Sequence, residues 1–107
     1  MISNYLNTII ERGSDLSYLI SKKKNSDKMI MYSLIGSRVT VDIPYKNMRR
    51  DERVKFNKEF NGEFQKATYA YTKEASVEEA SEITDRVFYK VFGADDDYSI
   101  DIEFELD

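Results

Sequence analysis

The last eight residues of the chain alternate strictly between apolar and acidic side chains. The apolar ones are Ile100, Ile102, Phe104 and Leu106, and the acidic ones are Asp101, Glu103, Glu105 and Asp107. Successive side chains of a β-strand point to opposite faces of the sheet, so this pattern predicts a strand with one buried and one solvated face. A strand covered by helices on both faces would be apolar throughout. The pattern therefore favours a fold with helices on only one side of a sheet.

The segment before this strand predicts the clearest helix of the chain. Ser76 and Glu79 have the spacing of a capping box, in which the serine side chain accepts from the N3 amide and the glutamate reaches back to the cap amide. Apolar residues follow at helical spacing, and Gly93 supplies a left-handed exit. We therefore expect a helix between Ser76 and Gly93.

Weaker signals place the remaining elements. We expect a helix from Ile2 to Gly13 and strands over 28–35, 37–43 and 63–72. We also expect a helix capped by Asn47 that ends near Phe60, with Val54, Phe56 and Phe60 as its apolar positions. Residues 16–21 fit both a strand and an extension of the first helix, and the Gly-Ser-Asp breaker before them favours the strand. On the strand over 63–72, Tyr69 and Tyr71 share one face, which we expect to lie against the core because the opposite face is polar.

These elements predict an α+β fold in a single domain over residues 1–107. The strands around Gly36 should pair antiparallel, whereas each strand–helix–strand unit should be a right-handed crossover between parallel strands. We expect a two-layer α/β sandwich, with a mixed four- to five-stranded sheet and about three helices on one face.

Composition excludes several classes of function. The chain contains no Cys and no His, so disulfides, thiolate metal sites and the commonest zinc ligands are absent. The glycines lie too far apart to form a phosphate-binding loop, and no serine has a histidine base. We expect no catalytic residue, no metal and no cofactor, and hence a non-enzymatic protein. No apolar run approaches the roughly 20 residues of a membrane span, so we expect a cytoplasmic protein without a membrane partner.

Charge is divided unevenly along the chain. Residues 1–73 contain 14 Lys/Arg and 8 Asp/Glu, a net charge of +6, whereas residues 74–107 contain 2 and 12, a net charge of −10. Two basic clusters are prominent: Lys22, Lys23, Lys24 and Lys28 at a predicted turn, and Arg49, Arg50, Arg53, Lys55 and Lys58 on the predicted middle helix. Such clusters can bind a phosphate backbone, although charge runs usually only solvate a surface.

The negative charges of the predicted last strand require positive charges nearby. Carboxylates two residues apart on one strand face repel at about 7 Å, so Asp101, Glu103 and Glu105 should have basic neighbours. Lys66 and Arg38 are candidates within the sheet, and the arginines at 49, 50 and 53 are candidates in a partner or a second copy. The predicted function is a binding or assembly domain that acts through protein contacts or self-association. The alternative is a nucleic-acid-binding accessory protein that uses the basic helix and the lysine turn.

Overall fold

The computed structural model describes Asn7 and residues 18–23, 26–35, 38–93 and 100–105. The strands are β1 (Tyr18–Lys23), β2 (Met29–Ile35), β3 (Arg38–Pro44), β4 (Gln65–Lys66), β5 (Ala70–Ala75) and β6 (Ile100–Glu105). They form one sheet in the order β4-β5-β3-β2-β1-β6. The helices are α1 (Arg50–Glu59) and α2 (Val77–Arg86), with a 3₁₀ turn at Tyr45–Asn47 and a π-helical segment at Val87–Val91. The predicted α+β fold class is confirmed.

The predicted helix count is wrong, because the part of the chain that the structure describes contains two α-helices rather than three. Its sheet has five strands of six or seven residues, within the predicted four to five, and the two-residue β4 in addition. The predicted helix from Ile2 to Gly13 lies outside the described residues except for Asn7, which is helical. The strand interpretation of residues 16–21 is confirmed for Tyr18 onwards, and this strand extends through Lys22 and Lys23, which were expected in a turn.

The sheet is antiparallel at every described pairing, not mixed. The expected single strand over 63–72 is instead two strands joined by a hairpin, in which the Ala67 amide donates to the Ala70 carbonyl at 2.8 Å. This extra reversal makes β5 antiparallel to β3. The α2 crossover then carries the chain from β5 to the far side of the sheet, where β6 pairs with β1.

Helix α2 begins and ends as the sequence predicts. The Ser76 side chain accepts from the Glu79 amide at 3.1 Å, and Gly93 has a left-handed φ of 68°. Between them the helix changes from α to π geometry, with the Phe92 amide donating to the Val87 carbonyl at 2.9 Å. No described helix is long and apolar enough to cross a membrane.

The core contains side chains from the strands, from both helices and from the π-helical segment. Alternate β3 residues Val39, Val41 and Ile43 are fully buried, and helix α2 contacts both β3 and β5. The largest buried helix side chains include Phe56, Phe60 and Phe88. These contacts form one continuous apolar cluster, which fixes both helices against the sheet.

A buried hydroxyl chain connects the sheet to α2. The Tyr32 hydroxyl lies 2.8 Å from Ser21 Oγ and 2.5 Å from Thr84 Oγ1, and Thr84 donates to the Ala80 carbonyl. Burial raises the pKa of Tyr32 far above its ordinary range, so the hydroxyl remains neutral. Every buried side-chain N or O atom of the described residues has a hydrogen-bond partner.

The structure corrects two apolar assignments. Tyr71 is buried as expected, but Tyr69 is 76% exposed because it lies in the hairpin turn before β5. Val54, an apolar position of the predicted middle helix, is 62% exposed. These are the two large exposed hydrophobic side chains among the described residues.

Candidate binding surface

The two basic segments of the sequence meet in space. Lys22 and Lys23 end β1, and the chain then returns through Lys28 to β2. Lys28 Nζ lies 2.7 Å from Glu52 Oε1 in the first turn of α1. The Glu52 side chain is only 2% exposed, and it also accepts from the Arg49 backbone amide at 2.8 Å. One buried carboxylate therefore ties the lysine-rich β1–β2 connection to the start of the basic helix.

A second set of contacts strengthens this junction. Helix α1 begins at Arg50, so Asn47 is not its cap as predicted. The Asn47 side chain instead donates to the Asp27 carbonyl at 3.3 Å, and Lys28 Nζ donates to the Asn47 carbonyl. The residues before α1 thus hold the β1–β2 connection by both side-chain and backbone groups.

We name the surface around this junction the basic corner. It comprises six cations and three carboxylates, a net charge of +3: Lys22, Lys28, Lys46, Arg49, Arg50 and Arg53 with Asp27, Asp51 and Glu52. The side chain of Lys23 and the whole of Lys24 lie outside the described part of the chain. The sequence pattern indicated the arginines and the lysines here, Lys28 included, but not Glu52. A glutamate three residues after a helix cap was the available signal.

The three predicted arginines are not equivalent. Arg49 Nε lies 3.2 Å from Asp51 Oδ1, and hydrogen bonding to Arg49 lowers the pKa of Asp51 below its usual range. The Arg49 charge is therefore compensated within the protein. Arg50 and Arg53 are exposed and form no ion pair with any residue that the structure describes.

Arg50 and Arg53 belong to one exposed face of α1. Val54 and Lys58 lie on the same face, since residues three and four apart on a helix are neighbours. The Lys58 side chain is exposed and has no ion-pair partner among the described residues. We name this set, Arg50, Arg53, Val54 and Lys58, the α1 outer face. It combines uncompensated positive charge with an exposed apolar side chain.

The acidic strand has a different neighbour from the one predicted. The β1–β6 register places Asp101 opposite Lys22, Glu103 opposite Ile20 and Glu105 opposite Tyr18. The expected neighbours are engaged elsewhere: Arg38 Nε lies 2.7 Å from Glu74 Oε1, and Lys66 Nζ lies 5.1 Å from the centre of the Tyr45 ring. The beginning of the acidic strand β6 therefore lies beside the basic corner of the same molecule.

At the opposite end of α1, cations lie between carboxylates. Arg86 Nε is 3.0 Å from Glu59 Oε1, its guanidinium also reaches Glu63 at 3.4 Å, and it stacks 4.3 Å from the Phe60 ring centre. Lys73 Nζ lies 2.9 Å from Glu79 Oε2 and 3.4 Å from Glu63 Oε1. We name this group, Glu59, Glu63, Lys73, Glu79 and Arg86, the helix seam. Each of the two cations of the helix seam is thus held by carboxylates from different parts of the chain.

An open cleft lies beside the helix seam. It has a volume of about 350 Å³ and is lined by Thr40, Glu63, Gln65, Thr72, Lys73 and Glu74. The sequence did not indicate it, because it forms where the short strand β4 ends next to β5. No cluster of three or more carboxylates with the geometry of a metal site occurs in the described ranges, and the acidic residues 95–97 lie outside them.

Comparison with known proteins adds no information on this site. Neither a protein-family model, nor a curated protein, nor a solved structure matches the chain. The functional argument therefore depends on the contacts and charges of the chain itself.

Proposed function

We propose that this protein is a non-enzymatic binding domain that docks an acidic segment of a partner protein on the basic corner and the α1 outer face. The observation that carries the proposal is the exposed, uncompensated state of Arg50, Arg53 and Lys58 around Val54, among the described residues. Elsewhere, Arg38, Lys73 and Arg86 are each paired with a carboxylate. Uncompensated arginines beside an exposed apolar side chain are typical of protein interfaces.

One property favours a protein partner over a nucleic acid. An exposed valine adds nothing to a phosphate contact, whereas it adds buried apolar area against a leucine or valine of a protein. The net charge of +3 at the basic corner is the observation that favours nucleic acid as the second candidate.

The proposal also includes the two-layer arrangement of helices and sheet that the sequence predicts. The full burial of Val39, Val41 and Ile43, together with contacts from α2, supports a two-layer sandwich with the helices on one sheet face. Self-association would be the homotypic form of the same contact, with the acidic β6 of a second copy as the ligand. A cytoplasmic location is part of the proposal.

The test uses defined probes. Fluorescence anisotropy at low salt would compare a glutamate-rich peptide with leucine at every fourth position, the same peptide with lysine for glutamate, and a single-stranded RNA of mixed sequence. The Arg50→Gln/Arg53→Gln variant should bind the acidic peptide roughly tenfold more weakly, because each lost exposed ion pair contributes about 0.7 kcal/mol. Lys66→Gln/Lys90→Gln is the matched control, since it removes two exposed charges away from α1.

The apolar residue separates the two candidates. Val54→Ser should weaken peptide binding about threefold and leave RNA binding unchanged, because only the peptide carries a leucine to bury. Failure of the acidic peptide to bind at low salt would reject the proposal. Tighter binding of RNA, insensitive to Val54→Ser and weakened steeply by salt, would establish the nucleic-acid function in its place.

A further inference from the structure

The sheet carries an apolar patch on the face opposite its buried one. Directly paired residues of neighbouring antiparallel strands have their side chains on the same face, and successive residues alternate between faces. Leu19 and Tyr32 form a buried pair, so the next pair, Ile20 and Met31, lies on the other face together with Met29. These three side chains are half-buried and do not belong to the apolar core cluster. We name Ile20, Met29 and Met31 the methionine patch.

Carboxylic residues flank the methionine patch on both sides. Asp42 of β3 lies opposite Met31, and Glu103 of β6 lies opposite Ile20. One row across the sheet therefore contains two acidic residues, two apolar residues between them and no cation. Asp42 is half-buried, and within the described ranges it has no ion-pair partner.

The neighbouring row has a different charge balance. It consists of Asp101, Lys22 and Met29, which the register places side by side on β6, β1 and β2. The lysine and the aspartate make this row neutral. The negative charge next to the apolar residues therefore comes from Asp42 and Glu103.

The separation of these two acidic residues matches the width of a helix. Neighbouring strands lie about 4.8 Å apart, so the three strand steps from Glu103 to Asp42 span about 14 Å. An α-helix with its side chains is about 10–12 Å across. A helix that lies along the strands would cover Ile20 and Met31, and a cation on each of its flanks would reach one carboxylate. Methionine side chains adapt to irregular apolar surfaces, which suits this contact.

We propose that the methionine patch docks the apolar face of a basic amphipathic helix from a partner protein, with flanking lysines or arginines at Asp42 and Glu103. An amphipathic helix that lays its apolar face on an apolar surface is a recurrent mode of peptide recognition. Charge selects this occupant over two others. A second copy would bring the same two acidic residues to the contact, and residues 1–17 contain one cation against two carboxylates. The patch selects the opposite charge from the α1 outer face, so it does not depend on the proposed function above.

The methionines of the chain allow the patch to be observed directly. In protein labelled with ¹³C at the methionine methyl groups, Met29 and Met31 report the patch, whereas Met48 is buried in the core and serves as the internal reference. A soluble nitroxide should broaden the Met29 and Met31 signals of the free protein more than the Met48 signal. The ligand is a capped helical peptide of about four turns, with leucine along one face and lysine on both flanks. It should shift the Met29 and Met31 signals saturably and leave Met48 in place.

Matched variants assign the contacts. Asp42→Asn should weaken binding of the lysine peptide about threefold, whereas a peptide with glutamine for lysine should bind weakly and equally to both proteins. Met31→Gln should weaken binding of the lysine peptide roughly fivefold, because apolar contact area is lost. Val54→Ser and Glu78→Gln change exposed residues on the two helices and should bind like the native protein.

Several results would overturn the proposal. If the nitroxide leaves Met29 and Met31 unaffected in the free protein, the patch is covered by the chain itself or, where dilution restores broadening, by a second copy. Absence of methyl shifts at millimolar lysine peptide, or equal binding of a peptide with glutamate for lysine, would also reject it. The Met48 signal of each variant reports whether the core is folded, so a loss of binding through misfolding is recognised directly.

Discussion

The two ends of helix α1 use charge in opposite ways. At the helix seam, Arg86 and Lys73 are each held between carboxylates, and their side chains are only 27% and 19% exposed. At the basic corner, one buried carboxylate, Glu52, holds Lys28, while Arg50 and Arg53 extend into solvent without a described partner. The same residue types therefore fix the fold at one end and remain available for binding at the other.

This difference shows which charged side chains indicate a binding surface. Counting cations along the sequence gives similar weight to Arg49 and Arg53, yet Asp51 compensates only the first. A charged side chain with a close partner adds little to a binding surface, because a ligand must compete with that partner. The cations that indicate a binding surface are those that have no carboxylate partner inside the protein.

The largest effect is expected at Glu52. Glu52→Ala removes the buried carboxylate and leaves Lys28 without its partner, which should lower the free energy of unfolding by about 3–5 kcal/mol. Urea unfolding measures this loss. Asp51→Ala, which removes an exposed carboxylate next to it, should cost less than about 1 kcal/mol. Equal costs for the two variants would mean that Glu52 does not anchor the corner.

A double variant tests whether the unpaired charge of Lys28 causes this loss of stability. Lys28→Met/Glu52→Leu replaces the buried ion pair by apolar groups of similar size, and such replacements are often neutral or stabilising. Its free energy of unfolding should therefore lie well above that of Glu52→Ala. A double variant as unstable as the single one would show that packing, and not the unpaired charge, causes the loss.

An intermediate effect is expected at the helix seam. Arg86→Met removes the pairs with Glu59 and Glu63 and a hydrogen bond to the Glu59 carbonyl at 2.9 Å. The loss in unfolding free energy should be about 1–2 kcal/mol, smaller than at Glu52 because these groups are partly exposed. Arg86→Lys keeps the charge but not the planar fork, so its loss should fall between those of Arg86→Met and the native protein. Native stability in Arg86→Lys would show that the planar shape of the guanidinium does not contribute.

The smallest effect concerns the pH dependence of stability. Hydrogen bonding to Lys73 lowers the pKa of Glu79, and hydrogen bonding to Glu79 raises the pKa of Lys73. The Glu79 contribution is thus present above the unfolded-state pKa of about 4.3 and is lost as pH falls through the lower folded-state value. The Lys73 contribution is present below about pH 10.4 and is lost as pH rises through the higher folded-state value.

Glu79→Gln tests this dependence while preserving the capping position, because glutamine also serves in a capping box. Stability near neutral pH should fall by less than about 1 kcal/mol, and thermal unfolding between about pH 5 and 2 should show a flatter acid decline than in the native protein. Glu78→Gln should leave the acid decline unchanged. A native-like slope in Glu79→Gln would show that the seam does not couple to acid unfolding.

The sequence predicted the elements that depend on contacts between residues close together in the chain. The alternation at β3, the Ser76 cap and the Gly93 exit depend on neighbouring residues only, and the structure confirms each of them. For β6 it confirms the strand at Ile100–Glu105. The antiparallel direction of β5 depends on the hairpin at residues 67–69, which has no glycine or proline to mark it. The pairing of β6 with β1 depends on the length of the α2 crossover and could not be read from either strand.

The candidate site was predictable only in part. The arginines of α1 were found from their charge, but their unequal exposure follows from contacts with Asp51 and Glu52 that the sequence does not specify. Val54 has the apolar character of a core position, yet the helix turns Phe56 inward and Val54 outward. The cleft beside Glu74 depends on where β4 ends, which is a property of the pairing and not of any residue type.

The acidic strand β6 also bears on how copies of this protein behave in concentrated solution. In the described sheet it is a terminal strand, paired on one side only with β1. If two such edges met antiparallel, Asp101, Glu103 and Glu105 of one copy would face the same carboxylates of the other, and this repulsion disfavours edge-to-edge aggregation. The acidic residues of β6 thus give this edge of the sheet a negative charge that opposes pairing with a second copy.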